Sequence, residues 1–171
     1  THLTGKVVVR DIVEAAEAWV PKMREEGADI VVALSHSGID GSEYVSGMEN
    51  ASLYLGAVEG IDAVLTGHHH LVFPGPNYAD VPGADIEAGT LNGTPAVMPG
   101  FWGSHMGLID LLLEVDADGK WAVVSHTSEA RPIVERIDNA NVPTVESLPI
   151  VAESVAAEHQ ETLDYIRRPV G

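Results

Sequence analysis

Four of the eight histidines in this 171-residue chain fall in two short segments that each follow an apolar run. His36 stands in the segment Ser-His-Ser-Gly, and His68, His69 and His70 follow Gly67 in the second segment. Neutral imidazole is the commonest side-chain ligand of transition metals. A lone histidine at the end of a strand is more often a hydrogen-bonded structural residue. Four histidines that lie close together at the ends of two strands favour a metal site instead. The sequence therefore predicts metal chemistry at this cluster.

The segments before the histidines have the pattern of buried strands. Residues 30–34 and 62–66 are short runs rich in β-branched residues, and the spacing over 49–58 is typical of a short helix. A strand, a helix and a strand in so short a span form a crossover between parallel strands. Ligands of such a sheet bind beyond the carboxyl ends of its strands, so both histidine segments should share one rim. If the backbone stays extended, His68 and His70 face one side and His69 the other.

The rest of the chain completes a mixed α/β pattern. Asp11 is a suitable N-cap for a helix, and Pro21 inside that helix predicts a kink or a restart near Val20. The predicted elements are a helix over 11–26, a long loop over 73–95, a short strand over 96–98, a hairpin of 107–115 and 121–127 around the turn 116–119, and a terminal helix over 144–168. The hairpin is antiparallel, so the sheet is predicted to be mixed.

Composition excludes several classes of function. The chain has no cysteine, which rules out disulfides and thiolate metal ligands. Its formal charge of −17 repels polyanions, so nucleic acid polymers and anionic membranes are not expected partners. No apolar run approaches the roughly 18 residues that a membrane helix needs. A small anionic substrate remains compatible, provided that bound metal offsets the charge locally.

The order and spacing of several segments closely resemble the calcineurin-like metallophosphoesterases of the 5′-nucleotidase superfamily. The later segments resemble in particular the members that act on 2′,3′-cyclic nucleotides and 3′-nucleotides, and the likeness spans nearly the whole chain. The segments that carry it are 35–38, 67–70, 73–75, 89–93, 95–103, 108–111 and 129–133.

This resemblance implies roles for the histidines. His36 and His68 would bind one ion and His70 the other, with His69 at the variable position and not a ligand. The implied cofactor is a pair of divalent ions, whether zinc, manganese, cobalt or magnesium. Three imidazoles cannot hold such a pair, which normally needs bridging and terminal carboxylates. The chain has neither an Asp-x-His pair nor an Asn-His followed by an acid, so the resemblance implies no catalytic residue within it.

The resemblance also implies a domain organisation and a whole-protein activity. Residues 1–143 would be the C-terminal half of a four-layer α/β/β/α sandwich, and 144–171 a terminal helix and the start of a linker to a nucleotide-binding domain outside the chain. The parent protein would convert 2′,3′-cyclic nucleotides to 3′-nucleotides, and 3′-nucleotides to nucleosides and phosphate, in the bacterial periplasm or cell wall. The fragment alone is expected to be inactive, and the free edge of half a sheet can pair with a second copy to form a homodimer.

Two other functions stay open at this point. One is a non-catalytic metal-binding module in which the three histidines hold one ion for structure. The other is a related hydrolase that acts on 5′-nucleotides. The roles of His105 and of the loop 73–95 are also open.

Overall fold

The computed structural model describes residues 2 and 4–169, and the chain divides into two compact units, Thr1–Pro132 and Ile133–Gly171. The first unit has the predicted mixed α/β fold. Its elements are α1 (Ile12–Glu25), β1 (Val32–Leu34), α2 (Ser52–Leu55), β2 (Ala63–Leu65), β3 (Val72–Phe73), a 3₁₀ helix (Pro76–Tyr78), β4 (Ala84–Asp85), β5 (Thr90–Leu91), β6 (Thr94–Pro99), β7 (His105–Val115) and β8 (Trp121–Pro132).

The main sheet runs in the order β1, β2, β6, β5, β4, with β3 also paired to β6. The strands β1, β2 and β6 are parallel, whereas β3, β4 and β5 pair antiparallel, which confirms the mixed sheet. Leu34 at the end of β1 is in register with Leu65 at the end of β2. The segments that follow these two strands therefore leave the sheet at the same end, the carboxyl end of the parallel strands.

The predicted hairpin is formed by β7 and β8, which pair antiparallel around a turn closed by Asp116. It lies against β6 at a point of close approach, because a Cβ on Gly107 would sit only 2.9 Å from the Val97 side chain. A larger residue at position 107 would push the hairpin away from the sheet.

The core of this unit is centred on β2 and β6, where consecutive residues are buried on both faces of the sheet. Its fully buried side chains include Val64, Leu91 and Met98 on the central strands. In β1, by contrast, Val32 is 45% and Leu34 81% exposed. The prediction that residues 30–34 are buried on both faces is wrong for the chain as it stands, because β1 is an edge strand and no described element covers its second face.

Helix α1 begins as predicted at the N-cap residue Asp11. The Asp11 carboxylate accepts hydrogen bonds from the backbone N–H groups of Val13 and Glu14, from the Tyr44 hydroxyl at 2.7 Å and from the Gly47 N–H at 2.7 Å. It thereby joins the helix to the loop that follows His36. The helix continues through Pro21 without the predicted restart.

Stability is expected to depend on pH through Asp11. Desolvation opposes ionisation of this carboxyl, but its hydrogen bonds outweigh that effect and hold its pKa below the ordinary value. Its stabilising effect is therefore fully present above the ordinary pKa near 3.9 and is lost as pH falls through the lower folded-state pKa. We expect Asp11→Ala to lower the free energy of unfolding at pH 7 by about 1 kcal/mol, with the deficit shrinking below pH 4.

Urea unfolding of both proteins between pH 7 and pH 3 measures this. Asp11→Asn is the control, because it retains a capping oxygen but carries no charge that can titrate. A deficit for Asp11→Ala that is constant over the whole range would contradict the assignment.

The second unit consists of β9 (Val134–Ile137), β10 (Ala140–Pro143), α3 (Pro149–Ser154) and α4 (Ala156–Ile166). The strands β9 and β10 form an antiparallel pair, and the predicted terminal helix is two helices interrupted at Val155. The assignment of 1–143 and 144–171 to separate functional regions stays a prediction. Among the described residues, no helix is both long enough and apolar enough to cross a membrane.

Candidate metal centre

The two histidine segments meet where β1 and β2 end. The Ser35 N–H donates to the Leu65 carbonyl at 2.8 Å, and the Gly67 N–H donates to the Ser37 carbonyl at 3.4 Å. The pairing of the two strands therefore continues past their ends into the loops. As a result His36 and His68 lie side by side at one rim of the sheet.

The rings of His36 and His68 have the separation expected of two ligands of one ion. Their centroids are 5.3 Å apart and their planes meet at 71°. Two imidazole nitrogens bound at ~2.1 Å to one tetrahedral ion place the ring centres roughly 5 Å apart. Both side chains are exposed, so an ion can reach them. This pair fits the donor set that the resemblance implies for one metal position.

The backbone is not extended through the histidine triplet, so the predicted alternation of side chains is wrong. His68 and His70 have φ values of 70° and 56°, in the left-handed region, and the His69 N–H turns back to the Gly67 carbonyl at 2.8 Å. Left-handed backbone is uncommon for residues other than glycine and is often found at functional sites. The ring of His70 stacks on Phe101, with the centroids 5.1 Å apart.

His69 packs into the structure behind the rim. A Cβ on Gly38 would sit 2.5 Å from the His69 ring, so only glycine leaves room for the ring there. The Tyr78 hydroxyl lies 3.4 Å from His69 Nδ1. Hydrogen bonds from Ser42 lower the pKa of Asp40, and the nearby His69 lowers it further. These contacts suit a packing residue better than a ligand.

A buried network of hydroxyl groups supports the rim from below. The Ser52 hydroxyl donates to the Ser37 carbonyl at 2.8 Å, and the Thr66 hydroxyl bonds both that carbonyl and Ser52 Oγ. Ser37, Ser52 and Thr66 are all buried. The network ties the loop of His36 to the end of β2 and to the first turn of α2, so it fixes the positions of both histidine segments.

Sequence reasoning missed Glu49, whose carboxylate contacts His68 of the histidine pair. Its Oε1 atom lies 2.8 Å from His68 Nε2. A short-range sequence signal for this contact is lacking, because the two residues are 19 positions apart and meet only through the fold. The loop acid Asp40 instead accepts a hydrogen bond from the Ser42 N–H in its own loop. The open candidate His105 is the first residue of β7, and its Nδ1 lies 2.9 Å from Oγ of the preceding Ser104.

The described residues do not assemble a complete metal site. They contain no group of three or more histidine, aspartate or glutamate side chains arranged to hold one ion. A cavity of about 370 Å³ opens beside the rim and is lined in part by His36, Thr66 and Gly67 together with the exposed Leu34 and Leu65. The geometry provides two nitrogen donors for one ion and leaves space next to them for further groups.

Comparison with known proteins supports the resemblance. The chain is 47% identical over 170 residues to the 2′,3′-cyclic-nucleotide 2′-phosphodiesterase/3′-nucleotidase of Salmonella typhimurium, which aligns with 99% of the chain and of which the chain covers 26%. It is 46% identical to the protein of the same name from Yersinia enterocolitica, again covering 26% of it. It is 43% identical to the trifunctional nucleotide phosphoesterase protein YfkN of Bacillus subtilis, covering 11%. The chain thus spans about a quarter or less of the length of these relatives.

A solved structure of a related protein is also similar to this chain. The calcineurin-like phosphoesterase YfkN from Bacillus subtilis superimposes on 97% of the chain with a TM-score of 0.83 and 42% sequence identity, and the chain covers 48% of it. No protein-family profile matches the chain. The predicted resemblance and the predicted fold class are therefore confirmed.

Proposed function

We propose that this chain is part of a two-metal phosphoesterase of the calcineurin-like kind, and that the longer protein converts 2′,3′-cyclic nucleotides to 3′-nucleotides and then to nucleosides and phosphate. The observation that carries the proposal is the pair His36 and His68, whose rings lie 5.3 Å apart at the ends of adjacent parallel strands. Relatives that align with nearly the whole chain bear the name of this activity.

In this proposal the histidines hold divalent ions at the rim. His36 and His68 would share one ion and His70 would bind the other, with zinc, manganese, cobalt or magnesium as candidates. When bound, such ions polarise phosphoryl oxygens and lower the pKa of a bound water. The buried hydroxyl network keeps the two histidine loops in register, and His69 fills the space behind them.

The chain by itself is proposed to be inactive. A catalytic metal pair needs bridging and terminal carboxylates. The described residues bring the Glu49 carboxylate next to His68, but they form no group of three or more side chains arranged to hold one ion. The further ligands would come from sequence outside this chain. The exposed apolar surface of β1, with Leu34 81% exposed, is consistent with a layer supplied from elsewhere. In its absence, the free edge of β1 is where a second copy would pair, and we propose a homodimer of the fragment.

The net charge and the resemblance to bacterial relatives bear on the substrate and the cellular location that we propose. A net charge of −17 disfavours polymeric nucleic acid, whereas a small nucleotide phosphate can be bound where metal ions offset that charge. Bacterial relatives with this activity and the resemblance support a periplasmic or cell-wall location.

Substrate profiling of the longer protein that contains this chain tests the proposal. We expect turnover of 2′,3′-cyclic AMP and 3′-AMP that EDTA abolishes and added manganese or zinc restores, and negligible turnover by the 171-residue chain alone. Hydrolysis of 5′-AMP without cyclic-nucleotide turnover would favour a 5′-nucleotidase. No phosphoester hydrolysis by the metal-loaded longer protein would refute an enzymatic role.

A further inference from the structure

The contact between Glu49 and His68 gives Glu49 a role that the proposed function does not assign. We infer that Glu49 is a positioning residue for His68: its carboxylate accepts the Nε2–H of the imidazole and so leaves the Nδ1 lone pair to bind a metal ion. The distance between Glu49 Oε1 and His68 Nε2 is 2.8 Å. This inference rests on the proposed metal-binding role of His68.

A neutral imidazole has one N–H and one lone pair, so a bond that holds the proton on one nitrogen makes the other the metal donor. Histidines that bind metals commonly donate their second N–H to a carboxylate or carbonyl, which fixes both the tautomer and the ring orientation. The His68 side chain is 36% exposed, and its ring meets the His36 and His69 rings at centroid distances of 5.3 and 6.4 Å. These ring contacts do not select which nitrogen carries the proton. The bond to Glu49 makes that selection.

The backbone of Glu49 is anchored to the loop that carries His36. The Ser37 hydroxyl donates to the Glu49 carbonyl at 2.7 Å and accepts the Ala51 N–H at 2.8 Å. One step further along, the Gly38 N–H donates to the Asn50 side-chain oxygen at 3.1 Å. These bonds attach the backbone of Glu49 to the loop of His36.

This anchoring explains why an exposed carboxylate can act as a restraint. The Glu49 side chain is 74% exposed, and an isolated exposed ion pair contributes little. Here hydrogen bonds hold the backbone of Glu49 in place. Its bond to His68 therefore links two loops, which restrains the ring more than a contact between two free side chains would. We expect Glu49 to hold the His36 and His68 rings at the separation that suits one ion.

A direct metal ligand is the competing role for the Glu49 carboxylate, and substitution by glutamine separates the two. The amide oxygen that Glu49→Gln introduces can still accept the Nε2–H of His68, whereas a neutral amide is a much poorer ligand than a carboxylate. A positioning role therefore predicts that Glu49→Gln keeps most of the metal affinity and that Glu49→Ala does not. Glu59→Ala is the matched control, since it removes the same charge from an exposed position after α2.

The experiment combines two measurements on the 171-residue chain. Long-range ¹H–¹⁵N spectra of the imidazole rings, without metal and at a pH where histidines are neutral, report the tautomer of each ring. Calorimetric titration with zinc then reports affinity. We expect His68 in the native chain to carry its proton on Nε2, and Glu49→Ala to produce a mixture of tautomers and a 10- to 100-fold weaker affinity, on the order seen for such outer partners.

The outcomes distinguish this inference from the proposed function. His68 resonances that are the same in Glu49→Ala as in the native chain overturn the inference, whether or not the chain alone binds zinc measurably. An affinity loss for Glu49→Gln as large as that for Glu49→Ala, with an undisturbed His68 ring, also overturns it in favour of direct ligation. Zinc binding that is unchanged in His68→Ala refutes the metal role of His68 itself and so the proposed function at this position.

Discussion

Replacing His36, His68 and His70 together by alanine is expected to abolish zinc and manganese binding at the rim, with affinity falling by more than about a hundredfold. The structure places the first two rings 5.3 Å apart, so they supply adjacent nitrogen donors. Removing them leaves no imidazole at the end of β1 or β2 except His69, whose ring is packed against Gly38. Calorimetric titration of both proteins with each metal measures the loss.

Single substitutions divide this effect among the three histidines. His36→Ala and His68→Ala should each remove most of the binding, because one remaining imidazole is a weak site. His70→Ala should have a smaller effect in this chain, since His70 stacks on Phe101 and the other ligands of its ion are proposed to lie elsewhere. His126→Ala is the matched control, as it removes a histidine on β8 that is well separated from the triplet along the chain.

The stoichiometry of binding separates the enzyme from a non-catalytic module. Binding of one ion per chain through His36 and His68 agrees both with the enzyme and with the non-catalytic module. If the longer protein also binds a single ion and hydrolyses no phosphoester, the structural role is favoured. Equal binding by the native chain and the triple variant would contradict the metal assignment in this chain altogether.

The elements around the site could be predicted from the sequence because their signals are local. The β-branched run ending at Leu34, the capping residue Asp11 and the turn at Asp116 each act within a few residues, and each predicted element is present. The adjacency of His36 and His68 followed from the same reasoning, since parallel neighbouring strands must end at the same rim.

The geometry of the site could not be predicted in the same way, because it depends on contacts between distant segments. The residue types of the triplet do not specify the left-handed backbone of His68 and His70, because histidine adopts that conformation more often than most residues but still only rarely. The partner Glu49 comes from a segment that only the network around Ser37 brings into reach. Likewise, the β-branched run 30–34 predicts a strand with apolar side chains on both faces, but it does not indicate which segment packs against each face.

Phe73→Ala is expected to destabilise the first unit by about 3–5 kcal/mol, the usual cost of removing a buried aromatic side chain. Phe73 has no exposed surface and meets Tyr78 edge-on with ring centroids 5.7 Å apart. Since domains are stable by only about 5–15 kcal/mol, this is a large share of the total. Urea unfolding followed by circular dichroism measures the change.

The only other phenylalanine of the chain provides the control. Phe101 is 40% exposed, so Phe101→Ala removes the same side chain from a surface position and should cost less than about 1 kcal/mol. Similar losses for the two variants would show that the core lies elsewhere.

Phe73 also tests how the core supports the rim. The cavity left by Phe73→Ala would adjoin the ring of Tyr78, whose hydroxyl lies 3.4 Å from Nδ1 of His69, the residue that packs behind the histidine pair. If metal affinity falls only in proportion to the fraction of folded protein, the core acts through stability alone. A larger loss in the fully folded fraction would mean that the packing of Phe73, Tyr78 and His69 sets the positions of the ligands.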